Sequence, residues 1–108
     1  MNSLGFIRGY MARHMGAEEF LRIVLDTIKK EFIWEVDFRK ELNYDEEAYV
    51  INIDNKYEMK LNADSLNELI EKGPYTVDRY IYEKLIDQGV KIDKKRSQYI
   101  KYCFRGEA

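Results

Sequence analysis

The chain has few of the residues from which most catalytic and metal sites are built. Among its 108 residues there are one cysteine and one histidine. One cysteine cannot form a disulfide framework or a cysteine-rich zinc site, and one histidine leaves most nucleophile and metal constellations incomplete. The sequence also lacks a glycine-rich phosphate-binding loop. We therefore expect a protein that is not an enzyme and that has no metal or cofactor.

Long apolar runs are absent as well. A membrane-spanning helix needs roughly 18 apolar residues in succession, and no such stretch occurs. A secretion signal needs an uninterrupted apolar segment, whereas Arg8, Arg13 and His14 interrupt the first apolar residues. We expect a cytoplasmic protein that has no membrane contact and keeps its single thiol reduced.

Proline is equally scarce, since Pro74 is the only one. The sequence contains no repeat, no low-complexity run and no linker rich in glycine and serine. A chain of this length, 45 % hydrophobic and 35 % charged, has enough apolar surface for one core. We predict a single α+β domain over residues 1–108, with residues 1–16 as a candidate for a loosely packed N-terminal arm.

Apolar residues spaced by three and four predict two helices at the start of the chain. The stronger pattern covers 17–32, where Phe20, Val24 and Ile28 share one face. A weaker helix is expected over 3–15, because glycines interrupt its apolar pattern.

The apolar period then changes from 3.6 to 2, which is typical of half-buried strands. The first alternating segment contains Trp34, Val36 and Phe38, and two more follow around Ile51 and Met59. Turns are expected at Asn43-Tyr44-Asp45 and at Asp54-Asn55, because Asn and Asp tolerate positive φ. The three segments predict an antiparallel meander.

Helical spacing returns after the strands. Asn62 or Asp64 is expected to cap one helix, Thr76 a second and Asp93 a third. The predicted order is α-α-β-β-β-α-α-α. This is a three-stranded antiparallel meander covered on one face by four to five helices.

Charge is unevenly distributed along the chain, although the net charge is only -2. Residues 31–60 hold nine acidic and four basic side chains, whereas residues 91–108 hold six basic and two acidic ones. Such asymmetry bears on the choice of partners more than on the fold.

The acidic segment is a candidate for contact with a basic protein partner, or for imitation of nucleic-acid phosphates. The chain also has nine tyrosines, more than a small core can use, and tyrosine is favoured at protein interfaces. The candidate protein-interface residues are Glu35, Asp37, Tyr44, Asp45, Glu46, Glu47 and Tyr82.

The basic C-terminal segment is a candidate for contact with nucleic acid, because cations pair with phosphates and aromatic rings stack on bases. The helix before Gly89 and the helix expected after it also have the outline of a helix-turn-helix. The candidate nucleic-acid-binding residues are Lys94, Lys95, Arg96, Tyr99, Lys101, Tyr102 and Arg105.

These features favour binding over catalysis. The first hypothesis is a protein-binding module, such as a regulatory subunit or a phage-type inhibitor of a larger protein or nucleoprotein machine. The alternative is a nucleic-acid-binding regulator that uses the basic C-terminal helix. A homodimer suits either hypothesis, because the core is small and the apolar N-terminal segment can pack against a second copy.

Overall fold

The computed structural model describes residues 3–105 of the chain, with side chains described from residue 5 onward. This part of the chain forms an α+β fold with one three-stranded antiparallel sheet and five helices, in the predicted order. The elements are α1 Ser3–His14, α2 Ala17–Phe32, β1 Val36–Asn43, β2 Glu46–Ile53, β3 Tyr57–Asn62, α3 Ala63–Lys72, α4 Thr76–Asp87 and α5 Gln98–Cys103.

The sheet is a meander in which β2 lies between β1 and β3. Phe38, Ile51 and Met59 lie opposite one another across the three strands. At the turn from β2 to β3, Asp54 and Asn55 have φ values of 56° and 55°. The expected turn at these two residues is therefore confirmed.

The helices lie on one face of this sheet. Helices α2, α3 and α4 contact the strands, whereas α1 packs on α2 and α3, and α5 packs on α4. Phe20, Val24 and Ile28 of α2 are completely buried, which confirms the predicted apolar stripe.

The opposite face of the sheet carries charged side chains over a small apolar strip. Ala48 and Val50 are buried there, and their neighbours across the strands include Arg39, Glu41 and Lys60. Glu41 forms ion pairs with Arg39 at 3.5 Å and with Lys60 at 3.3 Å. This charged layer shields the apolar strip from solvent.

Two of the predicted helix starts are wrong. The final helix begins at Gln98, because the Ser97 hydroxyl, and not Asp93, accepts the capping hydrogen bond from the Ile100 N–H at 3.1 Å. Asp93 instead accepts a hydrogen bond from the Lys95 N–H in an exposed turn. Thr76 is the first residue of α4 and not its cap.

The first part of the chain contacts the rest of the domain through one side of α1. Arg8 is 6 % exposed, and Met11, Ala12 and Met15 pack against the core. The opposite side of α1 faces outward.

Candidate interaction surface

The acidic residues proposed from the sequence lie at two ends of the sheet. Glu35 and Asp37 lie beside the turn between β2 and β3, where the Asn55 side-chain amide donates to Glu35 at 3.0 Å. Tyr44, Asp45, Glu46 and Glu47 lie at the turn between β1 and β2. Asp37 and Tyr44 are seven positions apart along the extended chain, which corresponds to about 23 Å. The structure does not bring these candidates together in one patch.

At the turn between β1 and β2 the charges are partly neutralised. The Lys40 ammonium lies 2.9 Å from the Glu47 carboxylate and 2.8 Å from that of Glu18. The hydrogen bonds that Lys40 donates to these two carboxylates raise its pKa. Tyr44 projects into solvent with 97 % of its surface exposed.

The prediction that Tyr82 lies at the surface is wrong. Tyr82 is completely buried in the inward face of α4, where the rings of Phe32, Tyr99 and Phe104 surround it. Its hydroxyl has no hydrogen-bond partner among the described residues. Burial raises the pKa of this hydroxyl.

The basic C-terminal candidates are divided between structural and exposed positions. Arg96 anchors its loop to the end of α2, because its guanidinium donates to the Glu31 carboxylate and to the Glu31 carbonyl, both at 2.9 Å. The Lys94 ammonium lies 5.0 Å from the centre of the Phe104 ring. Lys95 and Lys101 are exposed.

The predicted helix-turn-helix outline is also wrong. Residues 88–97 separate α4 from α5, whereas the turn of that motif takes about three or four residues. Helix α5 has six residues, so it offers less than two turns for insertion into a groove.

A buried ion pair joins α1 to α4. The Arg8 guanidinium donates to both carboxylate oxygens of Asp78, at 3.0 Å for the Nη2–Oδ2 bond. Asp78 is completely buried. The Tyr99 hydroxyl adds a hydrogen bond to Oδ2 of this carboxylate at 2.5 Å, and Arg8 also donates to the Pro74 carbonyl at 3.1 Å. This network therefore ties α1, α4, α5 and the loop between α3 and α4 to one point.

Burial and charge act in opposite directions on this pair. Desolvation lowers the pKa of Arg8, but the Asp78 carboxylate outweighs it and leaves the pKa of Arg8 raised. Burial raises the pKa of Asp78, whereas Arg8 and the Tyr99 hydroxyl act to lower it. The guanidinium therefore stays charged, and the carboxylate depends on it for its only buried countercharge among the described residues.

Two tyrosines contact this ion pair directly, and a third stacks on one of them. The Tyr75 ring lies 5.0 Å from the Arg8 guanidinium carbon, a cation–π contact. Tyr75 stacks on Tyr102 with ring centres 5.8 Å apart, and Tyr99 lies 6.1 Å from Tyr75. We call Tyr75, Tyr99 and Tyr102 the tyrosine cluster.

An open cleft of about 310 Å³ lies beside the tyrosine cluster. Tyr75 and Tyr102 form one part of its wall, and Arg79 and Arg105 contribute two guanidinium groups. Arg79 donates to Glu83 at 2.7 Å, and Arg105 lies 5.9 Å from the centre of the Tyr102 ring. The cleft can therefore hold an anionic group next to an apolar one.

Tyr75 also lines a second, largely apolar groove of about 220 Å³. Its lining includes Ile7 and Met11 of α1, Ile23 of α2, and Tyr75 and Tyr99. Because Tyr75 lines both cavities, the groove and the cleft adjoin one another.

The outward side of α1 extends this apolar groove. Phe6, Ile7 and Tyr10 are 64 %, 49 % and 55 % exposed, and Tyr10 is a neighbour of both others on the helix surface because it follows Phe6 by four residues and Ile7 by three. Clustered apolar exposure of this kind typically marks an interaction site. We call the outward side of α1, the groove and the cleft together the α1–α5 face.

Residues 3–105 contain no group of three His, Cys, Asp or Glu side chains placed to hold a metal ion. None of the described helices is both long enough and apolar enough to cross a membrane. Cys103 is buried, and burial raises the pKa of its thiol.

Comparison with known proteins gives no match to a family model, to a curated protein or to a solved structure. The residues of the chain itself therefore carry the functional argument.

The α1–α5 face is not apparent from the sequence. Arg8 falls on the same side of α1 as Ala12 and Met15. Because these two residues are apolar, their position indicates that Arg8 is buried. The sequence gives no comparable sign for its partner Asp78, which is 70 residues away.

Proposed function

We propose that this chain is a small protein-binding module that works in the cytoplasm and acts through the α1–α5 face without catalysis. The observation that carries the proposal is the exposed apolar side of α1 beside an apolar groove and a cleft lined by tyrosine and arginine. Aromatic residues and arginine dominate the energetics of protein interfaces. Regulation or inhibition of a larger protein is the role that suits a module of this size.

The chemistry of the α1–α5 face indicates the kind of partner it fits. Arg13 and His14 are exposed near the end of α1, and the His14 ring lies 4.3 Å from the Tyr10 ring. Arg79 and Arg105 line the cleft. Cations around an apolar centre favour a partner segment with apolar anchors flanked by carboxylates.

The experiment is affinity capture with the tagged full chain from a nuclease-treated lysate, with recovered proteins quantified by mass spectrometry. The test variant is Phe6→Asp combined with Tyr10→Asp, because both side chains are more than half exposed and their replacement leaves the core intact. The matched control is Ile33→Asp, since Ile33 is 92 % exposed but lines neither the groove nor the cleft. A partner recovered with the wild type and the control, and lost with the test variant, is the expected result.

A second variant tests the acidic interface expected from the sequence. Glu46→Lys combined with Glu47→Lys reverses two charges at the turn between β1 and β2 while leaving the α1–α5 face unchanged. If the α1 variant still recovers the partner and the Glu46/Glu47 variant does not, the interface lies at the acidic turn. Melting temperatures of all variants must match that of the wild type for either interpretation.

Nucleic-acid binding is the second candidate, because Lys95, Lys101 and Arg105 are exposed. Arg105 and Tyr102 also line the cleft, which places a cation next to an aromatic ring, as single-strand binding proteins do. The test is fluorescence anisotropy with labelled duplex and single-stranded DNA at several salt concentrations. Binding that weakens steeply with salt, and weakens further in Lys101→Glu with Arg105→Glu, would support this function. An unchanged anisotropy at low salt would reject it.

A further inference from the structure

Strand β1 has an open hydrogen-bonding edge. Within residues 3–105 the sheet ends at β1, which pairs only with β2. The Asp54 N–H donates to the Glu35 carbonyl at 2.6 Å. Because hydrogen-bonded and non-hydrogen-bonded pairs alternate along an antiparallel ladder, this bond identifies which residues of β1 bond to β2. The odd-numbered residues of β1 therefore bond to β2. The even-numbered residues, from Val36 to Leu42, direct their N–H and C=O groups away from the sheet.

This open edge adjoins a groove of about 480 Å³ between β1 and α2. Val36 and Phe38 line its sheet side, and Ile23 and Leu25 line its helix side. The charged residues Arg22, Asp26, Lys29 and Asp37 complete the lining. The Arg22 guanidinium lies 4.9 Å from the centre of the Phe38 ring. An added strand would meet apolar side chains in the groove as well as backbone donors and acceptors at the edge.

The same strand carries an exposed apolar side chain that its own chain does not cover. Leu42 is 76 % exposed, although alternation places it on the same side of the sheet as Phe38. Tyr44, two residues further on, is 97 % exposed. A second copy of β1, running antiparallel, would bring these side chains to the groove.

Only some alignments of β1 with a second β1 are compatible with the open edge. Even-numbered residues must face even-numbered residues, because only they offer free backbone groups. With Lys40 opposite Lys40 of the second copy, Arg39 faces Glu41 twice and Phe38 faces Leu42 twice. A shift of one strand by two residues in one direction places Arg39 opposite Arg39 of the second copy. A shift in the other direction places Glu41 opposite Glu41.

In this alignment the positive charge of each Lys40 is neutralised by carboxylates of its own chain. Each Lys40 ammonium is already paired with Glu18 at 2.8 Å and Glu47 at 2.9 Å. The central like-charge contact is therefore surrounded by carboxylates of both copies.

We propose that two copies of this chain pair through β1, about a two-fold axis at Lys40, into one continuous six-stranded sheet. Leu42 of each copy packs on Phe38 of the other and covers its groove. The interface is isologous, since both copies contribute the same strand, and it uses strand addition at a sheet edge. The α1–α5 face takes no part in it, so this inference does not depend on the proposed function.

Sedimentation equilibrium of the full chain, over a wide range of concentrations, tests the dimer. The expected mass is twice the 13.0 kDa of the chain. A single species at 13.0 kDa across the range would overturn the proposal.

A charge swap tests the alignment of the two strands. Arg39→Glu alone and Glu41→Arg alone each place like charges opposite one another twice, and each is expected to weaken dimerisation about tenfold or more. The double variant Arg39→Glu with Glu41→Arg restores opposite charges and is expected to recover most of the affinity. Dimers that neither single variant weakens would place the interface elsewhere and overturn the proposal.

Discussion

At the scale of single residues, the ion pair between Arg8 and Asp78 has the largest energetic consequence. Both side chains are buried, and the pair joins two helices that are far apart in sequence. Removing one member of a buried pair leaves the other charge desolvated without a partner, whereas replacing both with apolar residues removes that penalty.

Arg8→Met is therefore expected to lower the free energy of unfolding by about 3–5 kcal/mol. The double variant Arg8→Met with Asp78→Leu is expected to cost less than Arg8→Met alone. Urea denaturation measures both. The matched control is Arg13→Met, which removes an exposed arginine from the same helix. A loss of stability in Arg8→Met no larger than in the control would show that the pair contributes little.

Buried tyrosines make the fold sensitive to alkaline pH. Burial raises the pKa of Tyr82 and of Tyr99, so the folded chain binds their protons more tightly than the unfolded chain does. Their contribution to stability is present below the unfolded pKa of about 10 and is lost as pH rises above it. We expect the last increase in phenolate absorbance to coincide with loss of the circular dichroism signal.

The Tyr82 hydroxyl offers a direct check of this explanation. Because it has no partner among the described residues, Tyr82→Phe should leave the stability at neutral pH unchanged or raise it. The variant should also move alkaline unfolding to higher pH. Full ionisation of all nine tyrosines in a chain that keeps its native circular dichroism would refute the explanation.

At the scale of elements, the start of helix α3 is defined by a side-chain cap. The Asn62 side-chain oxygen accepts a hydrogen bond from the Ser65 N–H at 2.8 Å, which satisfies one of the free donors in the first turn. Asn62→Ala is expected to lower the free energy of unfolding by about 1 kcal/mol.

Asn67→Ala is the control for that change. Asn67 is exposed in the middle of α3, where alanine favours the helix more than asparagine does. Thermal unfolding should therefore show a lower melting temperature for Asn62→Ala and an equal or higher one for Asn67→Ala. Equal melting temperatures in the two variants would contradict the capping role.

Strong local patterns predict the elements well. The apolar stripe of α2, the alternation in β1 and the turn at Asp54 and Asn55 depend on neighbouring residues, and the structure confirms them. Residue type alone predicts too early a start for the final helix, because Asp93 and Ser97 are both acceptable caps. The choice of Ser97 is accompanied by a tertiary contact, since Arg96 is held by Glu31 of α2.

At the scale of the whole molecule, the interaction surfaces come from residues far apart in sequence, which local patterns do not reveal. The groove brings Ile7, Ile23 and Tyr75 together from three parts of the chain. Residue type alone did not separate Tyr82, which is buried, from Tyr102, which lines the cleft. The charge asymmetry was visible in the sequence, but the sheet distributes the acidic residues between its two ends.

Helix α2 separates the two surfaces proposed for binding. The groove of the α1–α5 face and the groove beside β1 lie along different sides of α2, and both reach Ile23. One surface suits an acidic partner with apolar anchors, and the other suits a second copy of the chain. A dimer through β1 would therefore display two α1–α5 faces.

Hydrogen–deuterium exchange of the chain, with and without its captured partner, locates the surface that binds the partner. If the α1–α5 face binds the partner, amides of α1 and of residues 99–105 gain protection in the complex, while those of residues 44–47 exchange as in the free chain. Protection confined to residues 44–47, or protection absent from both α1 and residues 99–105, would contradict binding through the α1–α5 face.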